Sequence, residues 1–210
     1  MKKLILIIPL LAITFFAGYF LKDFSFLPKE DTEPVKVTKT EKTEQEIKNE
    51  EIDKRIEKRK QETILALGEY TKKINPHIKE LTDIYNQMVE ITNRAAQDMY
   101  YLASPDYETD VNGIVDRLDS LALRIKGIDP GKHQSIKRAH QYMILAADNI
   151  TPLASTYHGY MLAGGFTRDN LDLVIRNKDT VGAHVKKSME ILDEVAMSVG
   201  LDEELIQSFK

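Results

Sequence analysis

The stretch from Ile74 to Leu102, INPHIKELTDIYNQMVEITNRAAQDMYYL, decides the fold. Its seam positions are Ile74, Ile78, Leu81, Tyr85, Met88, Thr92, Ala95, Met99 and Leu102. The steps between them alternate four and three, the rhythm of one helical face packed along a neighbour. Leu67 and Tyr70 carry the same rhythm upstream. Pro76 lies inside the stretch. A proline there either kinks a helix that continues through it or opens a new helix behind Asn75 as cap. The seam passes Pro76 without a change of phase, so the spacing favours one continuous, kinked helix.

Downstream the pattern repeats. Ser104 is placed to cap a second helix that starts at Pro105 and carries Val111, Ile114, Leu118, Leu121, Ile125 and Ile128. Gly127 is a good terminator for it. Asp129-Pro130 repeats the cap-then-proline signal. A third seam holds Ile136, His140, Met143, Ala147, Ile150, Ala154, Tyr157 and Met161, with Pro152 off the seam and Gly164-Gly165 as its stop. A fourth holds Leu171, Val174, Lys178, Val181, Val185, Ser188, Leu192, Val195 and Val199, closed by Gly200. Asp202 is positioned to cap a last short helix ending near Phe209. No Val/Ile/Thr-rich alternating stretch of useful length interrupts the series. Short loops between amphipathic helices make antiparallel neighbours. Residues 63–210 are therefore expected to form an all-α, antiparallel up-down four-helix bundle.

Upstream of the bundle, residues 44–62 are rich in charge, with Ile47, Ile52 and Ile56 as the only aliphatic side chains. Glu50→Lys54 and Glu51→Arg55 are i,i+4 pairs in the favourable order, each worth ~0.3–0.5 kcal/mol. This reads as a solvated helical stalk leading into the domain. It is also the segment through which homo-oligomerisation by a short coiled coil would run. Residues 28–43, PKEDTEPVKVTKTEKT, bury too little apolar surface to offset backbone ordering and read as a disordered tether.

Residues 1–27 are of another kind. Leu4 to Leu21 reads LILIIPLLAITFFAGYFL and holds no charge. A helix of that length spans ~27 Å, enough for a hydrocarbon core. Lys2 and Lys3 precede it, which by the positive-inside rule leaves the N-terminus in the cytoplasm and exports the rest. A cleaved signal peptide is the competing reading, and it would make the protein secreted. Cuts after Ala17 or Gly18 place Phe15 or Phe16 where a small residue is needed, so an uncleaved signal-anchor fits better. No second such run follows, so the expected protein crosses the membrane once.

Composition narrows the functions. The 210 residues include no Cys, which removes disulfides, thiolate metal sites and thiol nucleophiles. A net charge of -4 and the lack of a basic stripe with aromatics argue against nucleic acid. None of His77, His133, His140, His158 and His184 has a partner in the HxxxH or ExxH arrangement common to helical metal sites. His133 and His140 are ~10.5 Å apart along a helix, too far for one ion. A haem held by His140 with Met88 or Met99 has the residue types alone. No GxSxG turn and no phosphate loop occur. No cofactor, no metal and no catalytic set is therefore expected.

His140 on a core seam and the nine tyrosines are the features left over. His140, Tyr157, His158, Tyr160 and Tyr85 lie on or beside seams and are the candidates for lining a small-molecule pocket. The expected function is a membrane-anchored, extracytoplasmic helical module that engages a protein partner without catalysis. The alternative is a small-molecule-binding bundle with a Tyr/His-lined pocket, acting as sensor or accessory to another membrane protein.

Overall fold

The computed structural model describes residues 44–162 and 166–201. The expected membrane segment, the tether, Gly164-Gly165 and the terminal helix from Asp202 lie outside them. The described residues are all-helical and contain no strand. No helix among them is long and apolar enough to cross a membrane. In chain order they are α1 (Glu44–Gln97), α2 (Met99–Leu102), α3 (Pro105–Lys126), α4 (Gln134–Leu162) and α5 (Arg168–Ser198). The chain divides into two compact units at Asp53/Lys54. The described part of the first, from Glu44, is helical and exposed. The second unit holds the core.

α1 runs unbroken through Pro76. Pro76 donates no amide hydrogen, so the carbonyl of Lys72 loses its partner. Both residues are exposed, and water can take that place. The separate helix start at Asn75 is not realised. Within the second unit, Lys54 to Glu62 stay exposed and burial starts with Leu67.

The seam does not reach Met99 and Leu102. Asp98 leaves the helix with φ -127° and ψ 99°, and its carboxylate accepts from the backbone N–H groups of Tyr100 and Tyr101 at 2.9 and 3.1 Å. This cap resets the helical phase. Met99 is 84% exposed and Leu102 37%, while Tyr101 turns inward. Tyr101 packs edge-on to Tyr107, donates its hydroxyl to Asp110 at 2.8 Å and lies under the Arg94 guanidinium.

Other ends differ in detail from expectation. Ser104 occupies the N-cap position of α3, but its hydroxyl donates back to the Tyr101 carbonyl at 2.8 Å and caps nothing. Gly127 ends α3 in an ordinary right-handed conformation. The left-handed residue is Gly131, at φ 76°, whose N–H donates to the Asp129 carboxylate. Asp129-Pro130 thus builds a turn and does not start α4, which begins at Gln134 with the His133 carbonyl accepting from Lys137. Thr167 caps α5 through Asn170, and Gly200 at φ 82° closes it.

Contacts between helices fix their directions. Lys73 donates to the Asp129 carbonyl, Glu80 accepts from Arg124 at 2.6 and 2.7 Å, and Gln87 accepts from Arg117. As α1 positions rise, α3 positions fall, so this pair is antiparallel. Tyr70 meets His140, Met88 meets Tyr157 and Thr92 meets Met161, so α1 and α4 are parallel. Tyr107 donates to the Met161 carbonyl and Lys126 pairs with Asp148, making α3 and α4 antiparallel. Thr156 meets Asn177 and Tyr142 meets His184, making α4 and α5 antiparallel. The third seam is buried along its whole length, from Ile136 to Met161. Ile84, off the expected rhythm, is fully buried, and Tyr85 only partly. A helix with several neighbours buries a wider face than a two-stranded seam.

Candidate functional site

The polar groups of the core fall at two depths. At the first, α1 contributes Tyr70, α4 His140 and α5 Ser188. The Tyr70 hydroxyl and His140 Nδ1 are 3.1 Å apart, with their rings edge to face. Ser188 Oγ is buried and makes no hydrogen bond of good geometry, although its proximity partly offsets the effect of burial on Tyr70. Burial raises the Tyr70 pKa and lowers that of His140, so both groups are held neutral. The nearby charge of Asp129 opposes the shift at His140 and is the smaller effect.

The second depth lies 18 residues further along α1, at Met88, or ~27 Å at the α-helical rise. There a cavity of about 260 Å³ opens between α1, α4 and α5. α1 lines it with Tyr85, Met88, Val89, Thr92 and Asn93; α4 with Tyr157 and Tyr160; α5 with Leu171, Val174, Ile175 and Lys178. Most of the wall is apolar. Its polar groups are held to different degrees. Thr92 donates to the Met88 carbonyl at 2.7 Å, and the Tyr157 hydroxyl donates to the same carbonyl at 3.4 Å. Tyr160 stacks edge-on with Phe166. The Tyr85 hydroxyl is buried and has no hydrogen-bond partner among the described residues. A buried donor left in that condition costs ~1–3 kcal/mol. Burial raises the Tyr85 pKa, and the negative charge of Asp179 adds to the shift. Lys178 is half exposed at the rim, with Asp179 Oδ1 3.6 Å from its ammonium.

Of the residues singled out from sequence, Tyr85, Tyr157 and Tyr160 converge on this cavity. His140 does not, because it belongs to the Tyr70 level. His158 is exposed and lines nothing here. Sequence reasoning missed Val89, Asn93 and Ile175, each one step off a seam, where a rim is built. The His–Met pairs suggested for haem are not formed: Met99 is in water and Met88 is a helix length away from His140. Among the described residues, no cluster of His, Asp or Glu is arranged to hold a metal ion.

The chain was compared with protein families, curated proteins and solved structures, and none matches it.

Proposed function

We propose that this chain is a single-pass membrane protein that holds a four-helix up-down bundle outside the cytoplasm and docks a protein partner on it. The anchor is the charge-free run Leu4 to Leu21 behind Lys2 and Lys3. The bundle reading is supported by the alternating directions of α1, α3, α4 and α5 and by the single continuous core they share. Docking without catalysis is the expectation from sequence.

One observation carries the docking reading. Met99 and Tyr100 are 84% and 91% exposed on a turn whose backbone is pinned by the Asp98 carboxylate. Large side chains held out in water on a rigid turn lose little freedom when a partner covers them. Phe166 is half exposed at the end of the bundle reached by α1 and α4. A partner settling on the turn would find apolar and aromatic surface there.

A photoreactive residue placed at position 100 of the full chain, in its native membrane, tests this reading. The expected result is one discrete protein adduct that is lost when Met99→Asp is added. The same probe at Leu123, exposed on α3, should give none. Equal labelling from both positions, or none from either, would overturn the docking reading.

A further inference from the structure

We infer that the cavity between α1, α4 and α5 is a binding site for a small, neutral, largely apolar molecule carrying one hydrogen-bond acceptor such as a carbonyl. The inference does not depend on the membrane anchor or on the protein partner. It rests on size, lining and one unsatisfied group.

A volume of about 260 Å³ is slightly below the range of drug-sized pockets and far too small for a peptide helix. The occupant is therefore a compact molecule. Met88, Val89, Leu171, Val174 and Ile175 supply an apolar wall, and the rings of Tyr157 and Tyr160 supply flat faces. An apolar, aromatic-tolerant body fits that lining.

The acceptor follows from Tyr85. It is part of the wall, and its hydroxyl is buried with no partner among the described residues. A tyrosine that keeps its proton is a donor in search of an acceptor. The hydroxyls of Thr92 and Tyr157 are already committed to the Met88 carbonyl, whereas the Tyr160 hydroxyl is not among the buried groups left without a partner. Among the described groups of the lining, the Tyr85 hydroxyl is the buried one whose hydrogen bond is still unmet, and a polar atom on the ligand would meet it.

Neutrality follows from the charges. Lys178 is the one cationic residue of the lining, and Asp179 stands 3.6 Å from its ammonium. The same Asp179 acts on the Tyr85 hydroxyl. An anionic ligand would meet a cation already paired and, near the Tyr85 hydroxyl, the negative charge of Asp179. A neutral acceptor avoids that conflict.

Benzophenone is a suitable probe, because it is compact and aromatic, has a single carbonyl acceptor and can be photo-crosslinked in place. The full chain in detergent micelles is irradiated with it and the adducts are mapped by mass spectrometry. Diphenylmethane, of similar shape but without the carbonyl, and the anionic 4-benzoylbenzoate serve as competitors. Saturable labelling is expected at Met88 and its neighbours in the wall. Adding an acceptor for one neutral hydrogen bond should make unlabelled benzophenone about fivefold more effective than diphenylmethane. Tyr85→Phe should abolish that preference while leaving labelling in place. Partition of the probes into micelles is the same for both proteins and cancels in the comparison. Val89→Trp, which fills the mouth from an exposed position, should remove labelling without changing the far-UV circular dichroism. Non-saturating labels scattered over the chain would overturn the site. A preference that survives Tyr85→Phe would overturn the role of its hydroxyl. Stronger competition by 4-benzoylbenzoate than by benzophenone would overturn neutrality.

Discussion

His140 shows how much one buried side chain can decide. The residue is 4% exposed and its imidazole is hydrogen-bonded to Tyr70, beside which Ser188 of α5 lies. Loss of hydration lowers its pKa, so the folded state resists protonating it. In the unfolded chain the same group titrates near 6.5. Above that pH both states are neutral, and the histidine adds no pH dependence. As pH falls through the unfolded value, the unfolded state takes up a proton that the folded state does not. Stability must then decline, at no more than ~1.4 kcal/mol per pH unit for one proton, until the folded form also titrates. Urea unfolding at pH 7.5 and pH 5.5 should therefore show a loss of stability that His140→Gln reduces. His77 contributes in the same direction, since burial and the Arg124 charge lower its pKa more than Glu80 raises it. An undiminished loss in the His140 variant would place the effect elsewhere.

At the scale of elements, periodicity made the helices legible. α4 is the clearest case, with every expected seam residue from Ile136 to Met161 buried. The continuity of α1 through Pro76 could also be read, because phase is preserved across it. Met99 and Leu102 were misplaced for a local reason. Periodicity counts apolar positions, whereas the Asp98 carboxylate competes for backbone N–H groups and ends the helix first. Ser104 and Asp129 carried the usual capping signals, and their side chains bond elsewhere. The tyrosine pocket was legible in residue type, since Tyr85, Tyr157 and Tyr160 lay on or beside seams. His140 could not be separated from them, because that needs the register of α1 against α4, which no single helix pattern contains. The Asp98 cap itself can be tested. Asp98→Ala should cost ~1 kcal/mol, within the ~0.5–2 kcal/mol spread for lost caps. The corresponding fall in thermal midpoint should come with loss of ordered signals for Tyr100 and Tyr101. An unchanged midpoint would mean that the turn holds without its carboxylate.

At the scale of the whole molecule, the proposal joins the helical core to an N-terminal anchor. Thr14 stands in the middle of the charge-free run. Thr14→Arg should impair insertion, because arginine at the centre of a spanning helix costs ~2.5–3.5 kcal/mol on the insertion scale. Membrane fractionation and protease protection of intact cells read the outcome. Unchanged fractionation would count against a spanning segment. The absence of Cys has a consequence at this scale as well. Cohesion of the core rests on burial and on a few cross-helix bonds, such as Tyr107 to the Met161 carbonyl, with no covalent link between helices.

The continuity of α1 also has a mechanical meaning. From Lys54 to Gln97 it is one helix, and the exposed Tyr100 follows directly after the Asp98 break. Tension applied between that turn and the upstream end of the helix would run along a single axis. It would not pass from one helix to the next. α3, α4 and α5 would act as a clamp around the loaded member and stay largely unstressed. Along that path the axial hydrogen-bond ladder lacks a bond at Pro76, but the helix itself breaks at Asp98, which is the first joint to yield under such a pull.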